Sequence, residues 1–156
     1  MALNSSKARL VVSGNKDKLH NQAKQLQAIN AKYAKLLASE LRNTSRQKFT
    51  RFATGRYAEG WKPFVVSGRK VSPFKETLNP GEYYVIMNEN EPTLTHLLED
   101  GHLLKSTDGT LKYTPAVKHI YVTADKFRDD YGREIEEAAI DLIQADLEDF
   151  IEALNN

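Results

Sequence analysis

The stretch "LTHLLEDGH", Leu94 to His102, places two histidines and two carboxylates within nine residues. Three kinds of chemistry could use such a cluster: a metal site, a general acid–base pair, or the polar end of a short helix. His96 and Glu99 are three apart, so a helix sets them on adjacent faces of one turn. A catalytic zinc centre calls for HExxH or a third ligand at comparable spacing. Neither is present, and the other two histidines, His20 and His119, are remote in sequence. No GxSxG nucleophile elbow and no GxGxxG or GxxxxGK[ST] phosphate loop occurs in the chain. The reading that remains is structural: no catalytic residue, no metal and no cofactor. A short helix buries Leu94, Leu97 and Leu98, while His96 and Glu99 fix its approach to the next element.

The elements that must position this block follow from period and punctuation. Thr93 is a candidate N-cap of the short helix, and Gly101 suits its C-terminal end. "LLKSTDGTLKYT" reads as two short strands joined at Asp108-Gly109. Upstream, "GWKPFVVSG" and "GEYYVIMNE" are rich in aromatic and β-branched residues, which predicts strands near 60–67 and 82–88. The segment between them reads as a flexible or hairpin-like connection with turn chemistry at Asn79-Pro80-Gly81. Leu19, Ala23, Leu26, Ile29, Tyr33, Leu37 and Leu41 recur in steps of three and four, predicting a helix from about Lys16 to Thr44. Residues 8–13 read as a short strand ended by Gly14-Asn15, so 1–14 are expected to form a flexible arm. The tail is a second amphipathic helix with an acidic outer side. Phe127, Tyr131, Ile135, Ala138, Leu142, Leu147, Phe150 or Ile151, and Leu154 form its apolar side, and Thr123 or Asp125 is its expected cap.

At 156 residues the chain is expected to be a single domain large enough to bury a core. It has no cysteine, which excludes disulfides and thiolate chemistry. No apolar run approaches the roughly 20 residues of a membrane span, and the N-terminal stretch makes a poor secretory signal, so a cytosolic setting is expected. The net charge of +1 conceals an asymmetry. Residues 1–80 hold 16 Lys/Arg against 4 Asp/Glu, a net +12, and residues 81–156 hold 6 against 17, a net −11. Either the halves neutralise each other within the fold, or each meets an outside partner.

Taken in order, "TGRYAEGWK" (Thr54–Lys62), "YYVIMNE", "LTHLLEDGH", a glycine turn, "PAVKHI" (Pro115–Ile120) and an acidic C-terminal helix resemble the head–tail joining, or tail-completion, proteins of long-tailed phages and prophages. The likeness spans about residues 15–150. Leu94, His96, Leu97, Glu99, Gly101 and His102 form its most specific block; the hairpin is poorer in glycine and arginine than is usual in that family.

The resemblance implies an α+β fold, a small antiparallel sheet flanked by the two long helices. It implies a structural virion protein at the head–tail junction, assembled in the host cytoplasm. The working state would be a ring, a hexamer by the sixfold symmetry of tails, with a monomer as the free form. The partners implied are further copies, a tail terminator or tail tube protein, head connector proteins, and genomic DNA passing through the lumen, with no membrane. Glu136, Glu137 and Asp141 are the candidate subunit-interface residues, and Arg51, Arg56 and Lys62 the candidates for facing DNA. A different class also fits: a small nucleic-acid-binding module on residues 42–64. There Arg42, Arg46, Lys48, Arg51, Arg56 and Lys62 interleave with Phe49, Phe52, Tyr57 and Trp61. Set against it is a reading in which those aromatics are simply core.

Overall fold

The structure, a computed structural model, describes residues 5–49 and 55–155. The fold is α+β. Helix α1 (Ser5–Lys48) is 44 residues long, on the order of 65 Å at 1.5 Å per residue. The strand expected at 8–13 is not formed, because α1 runs through it. A short apolar run cannot be told from helix by period alone, and an internal glycine costs only about 1 kcal/mol against alanine. Gly14 therefore does not break the rod, and residues 5–14 belong to it.

A single helical turn, α2 (Arg56–Glu59), leads into three strands, β1 (Trp61–Ser67), β2 (Lys70–Pro73) and β3 (Glu82–Asn88). All pair antiparallel in the order β2-β1-β3. The central strand contains Pro63, which cannot donate to a ladder. The register accommodates it: β2 pairs only with Phe64–Ser67, so Pro63 lies beyond its reach. Phe74 stacks on Tyr84 at 5.4 Å, and the Tyr84 hydroxyl donates to Lys75 O at 2.8 Å, closing the loop after β2 onto the sheet. At Asn79-Pro80-Gly81 the chain turns into β3, and the Glu82 carboxylate accepts from Asn79 N at 2.6 Å.

Helix α3 (Pro92–Asp100) follows, then a separate hairpin of β4 (His102–Lys105) and β5 (Leu111–Thr114), whose turn holds Asp108 and Gly109. Helix α4 (Ile120–Asn155) runs 36 residues back along α1. The pair is antiparallel: Tyr33 meets Phe127 and Tyr131 at ring distances of 6.3 and 6.1 Å, and Gln22 Nε2 donates to Leu142 O.

The core lies between α1, the sheet and the start of α4. Its α1 contribution is Ala31, Tyr33, Ala34, Ala38, Leu41 and Ser45, all buried. This corrects the apolar stripe expected from sequence. Leu26, Ile29 and Leu37 are only half-buried and Ala23 is exposed, while Ala31, Ala34 and Ala38 are buried. Small residues let the helix approach β1, where Trp61 and Val65 are buried and Trp61 Nε1 donates to Ser45 Oγ at 2.9 Å. On α4 the apolar side of Phe127, Tyr131, Ile135, Ala138 and Leu142 turns inward. Leu147 and Ile151, expected on that side, are instead 58% and 50% exposed. The side chains of Leu19, Phe150 and Leu154 lie outside the described set. If the alanine seam sets the helix-to-sheet distance, Ala38→Leu should overpack it and lower stability by about 1–3 kcal/mol. A urea midpoint equal to that of the parent chain would contradict this.

Candidate functional site

Glu99 is the centre of the only cluster of buried ionisable side chains among the described residues. It sits in the last turn of α3, 3% exposed, and reaches across to the start of α4. Its Oε2 accepts from the backbone N–H groups of His119 and Ile120 at 2.9 and 3.0 Å, and its Oε1 from that of Tyr121 at 3.1 Å. The first N–H groups of any helix lack partners within the helix and carry the positive end of its dipole. A carboxylate satisfying three of them is a cap supplied from 20 residues away. This corrects the expected cap: Thr123 lies inside α4, its hydroxyl buried with no hydrogen-bond partner among the described residues, and Asp125 is exposed one turn further on.

His119 is the second member, with no exposed surface. Its Nδ1 lies 2.9 Å from Val117 O and 3.1 Å from Glu99 Oε2, two acceptors, so it carries the proton. Its Nε2 is 2.7 Å from the Tyr57 hydroxyl, which donates to it. Phe49, Tyr57 and Trp61 ring the imidazole edge-on at 5.0 to 6.1 Å. The two sequence blocks "LTHLLEDGH" and "PAVKHI" thus meet at one point, with Glu99 from the first gripping His119 and the turn after it.

A Tyr–His–Glu chain has the connectivity of a proton relay, but its electrostatics hold protons in place. Burial pushes the Tyr57 phenol up to about 12, with the Glu99 charge adding to it, so it resists becoming a nucleophile. Burial lowers the His119 pKa, against the upward pull of the Val117 carbonyl and Glu99. For Glu99, burial alone would raise the pKa, but the three backbone donors and His119 outweigh it and the carboxyl stays below its usual range. The carboxylate oxygens of Glu99 and both ring nitrogens of His119 are directed at the protein itself.

The remaining residues of the motif do different work. His96 is exposed and makes no hydrogen bond or ion pair with a described residue, so the expected role for the His96/Glu99 pair falls to Glu99 alone. Leu97 and Leu98 are half-buried, while Leu94 is 38% exposed. Thr93 is not the N-cap: Pro92 opens α3 and Glu91 precedes it, while buried Asn88 accepts from Glu91 N at 2.9 Å and donates to Tyr57 O at 2.7 Å. Gly101 does end α3, at φ 77° and ψ 168°, a region open in practice only to glycine. A Cβ there would also lie 2.6 Å from the Tyr113 hydroxyl and 2.8 Å from Thr114 O. His102 Nδ1 lies 3.2 Å from Leu97 O.

The basic segment 42–64 is largely engaged. Arg42 donates to Trp61 O at 2.7 Å, Arg46 pairs with Glu59, Arg56 with Glu91 at 3.1 Å, and Lys62 with Glu89. Trp61 is buried, and Phe49 and Tyr57 belong to the cluster around His119. Arg51 and Phe52 lie outside the described residues. Glu136, Glu137 and Asp141 are all exposed on α4, with Glu137 bonded to Arg133 at 2.7 Å. No group of three or more His, Asp or Glu among the described residues could hold a metal ion, and no described helix is long and apolar enough to cross a membrane. The signal sequence reasoning missed was the pairing of Glu99 with His119. A lone acid after "LTHLL" and a lone His before a helix carry no mark of each other. Comparison with known protein families, characterised proteins and solved structures finds no match.

Glu99→Gln leaves one acceptor where two served three donors, and removes the charge from the helix end. It should cost about 3 kcal/mol, read as a drop in chemical-denaturation midpoint. The pH dependence has a definite sign. Both Glu99 and His119 have lowered folded pKa values, so the unfolded chain binds more protons as pH falls. The His119 contribution is complete above the ordinary histidine value near 6.5 and diminishes below it; that of Glu99 diminishes below about 4.3. A His119→Gln variant should melt at a temperature that varies less between pH 7 and 5 than the parent's; an unchanged slope would remove His119 from this account. Gly101→Val should lower stability by about 3 kcal/mol, and a melt without a shift would refute the requirement for glycine.

Proposed function

We propose that this chain is a structural assembly protein of the head–tail junction of a long-tailed phage or prophage, acting as one copy in a ring that completes the tail end. The observation that carries this reading is the state of the "LTHLLEDGH" and "PAVKHI" blocks. Glu99 and His119, one from each block, are buried and hydrogen-bonded to the protein itself, serving to fasten α3 to α4. Such a use of the blocks is that of a scaffold. What the fold offers outward is different: an acidic outer side of α4 and an apolar hairpin with Leu103, Leu111 and Tyr113 more than 60% exposed. An isolated two-stranded hairpin is marginal in water, so one that displays its leucines is suited to being covered by a neighbour.

The charge asymmetry is met in part within the chain, by Lys32–Glu134, Arg56–Glu91, Lys62–Glu89 and Lys75–Glu82, and the charge that is left supports contact between copies. Rings arise from heterologous contacts that close, and opposite charges on two separate surfaces favour head-to-tail approach over self-pairing. Exposed ion pairs contribute only about 0–1 kcal/mol each and are screened by salt. Such contacts suit a subunit that is monomeric when free and closes into a ring on the tail. The nucleic-acid reading is supported less, since Arg42, Arg46 and Lys62 are already engaged and Trp61 is buried.

Reversing Glu136→Lys, Glu137→Lys and Asp141→Lys together should leave the circular dichroism of the chain unchanged and block the joining of heads to tails. A folded triple variant that yields joined, infectious particles would refute this. Tight binding of the free chain to DNA, falling steeply with salt, would favour the nucleic-acid module instead.

A further inference from the structure

The outward face of α4 carries a second apolar stripe. Ile140, Ile143, Leu147 and Ile151 are each at least half exposed. Their spacings of three, four and four align them along one side of the helix, opposite the side that packs on α1. The stripe runs about 16 Å at 1.5 Å per residue. Beside it lie Glu137, Asp141, Glu148 and Glu152, and no lysine or arginine follows Arg133. Solvent alone would favour polar residues there.

At the other end of the molecule is a groove of about 470 Å³ between the end of α1, α3 and the β4–β5 hairpin. Phe49, Tyr57, Leu94, Leu98 and Leu104 give it apolar walls. Arg46, which lines it, is paired with Glu59, and the positive charge left at its rim is that of Lys48, which follows on α1, and Lys112, which stands directly across the hairpin from Leu104. Lys48 and Lys112 form no ion pair with a described residue.

The stripe and the groove are complementary in character and in charge. They cannot meet within one chain. Thr44 and Gln47, beside the groove-lining Ser45 and Arg46, flank Thr123, whereas Ile143 is 20 residues further along a continuous helix, about 30 Å away. We infer that the occupant of the groove is a second copy of this chain, whose α4 inserts its Ile140–Ile151 stripe against Leu94, Leu98 and Leu104, with its acidic flank toward Lys48 and Lys112. Because the two surfaces differ, the contact is heterologous and leaves one of each free, so it repeats from copy to copy. This deepens the ring reading above and rests on it for the closed form of the assembly. It adds an apolar contact of defined direction to the charge attraction.

The chain has no cysteine, so single thiols can be placed at will. A Leu94→Cys chain and a mass-tagged Ile143→Cys chain, each exposed at its site, are mixed and oxidised. The mixed disulfide should exceed either homodimer several-fold over its statistical share, and should fall toward that share when the Ile143→Cys chain also carries Leu147→Asp. Circular dichroism and an unchanged melting temperature establish that Leu147→Asp is folded. A statistical mixture, an excess of homodimers, or no cross-link would overturn the inference. A mixed cross-link together with normal joining of heads to tails by Leu147→Asp particles would uphold the contact and refute the neck assignment. Absence of the mixed cross-link between the Leu94→Cys and Ile143→Cys chains, while the Glu136/Glu137/Asp141 reversal still blocks joining, would do the opposite.

Discussion

Three backbone N–H groups at the start of α4 converge on one carboxylate, and the rest of the arrangement depends on that grip. An N-terminus without partners is unfavourable when buried. Local capping by Ser, Thr or Asp would have satisfied α4 but left its direction free. Glu99 comes from another helix, so satisfying the donors also fixes where α4 begins relative to α3. His119 and Tyr57 extend the constraint to α2 and β1, through a neutral imidazole held on both nitrogens. One charged group inside an aromatic box is tolerated because each of its acceptor sites is used.

That anchor explains how a chain built around two very long helices keeps a fixed shape. The alanine seam on α1 brings the helix close to β1, and Trp61 bonds Ser45 where they meet. The aromatic contacts of Tyr33 then set the antiparallel register of α4. Beyond Leu142 the two helices extend far from the sheet. There α4 turns aliphatic side chains outward, which a self-contained globular protein would have little reason to display.

The molecule therefore separates its chemistry by location. Glu99 and His119 are sealed inside and used to join helices. Charge and apolar area that could bind are displayed at its two ends, acidic on the outer side of α4 and basic around the groove. That division is the ground for the proposal that the chain works through contact with its neighbours.

Much of this was determined by the sequence. Strands at 61–67 and 82–88, the hairpin after Gly101, the glycine stop itself and both long helices follow from period, propensity and turn residues, which act over a few positions. The Gly14-Asn15 pair misled, because local punctuation is weak against the continuation of a helix. What only the tertiary structure decided was partnership. Glu99 read naturally with His96, its neighbour one turn away, yet its partners are His119 and the two residues after it. Leu147 and Ile151 follow Leu142 by five and nine residues, which turns them about 140–180° around the helix, so with Leu142 packed inward they face outward. The basic run 42–64 suggested a nucleic-acid face; in the fold Phe49, Tyr57 and Trp61 surround His119, and Arg42, Arg46 and Lys62 meet Trp61 O, Glu59 and Glu89. Periodicity reports that a side chain has a preferred side; which group waits there depends on contacts between segments tens of residues apart, and those are set only when the chain packs.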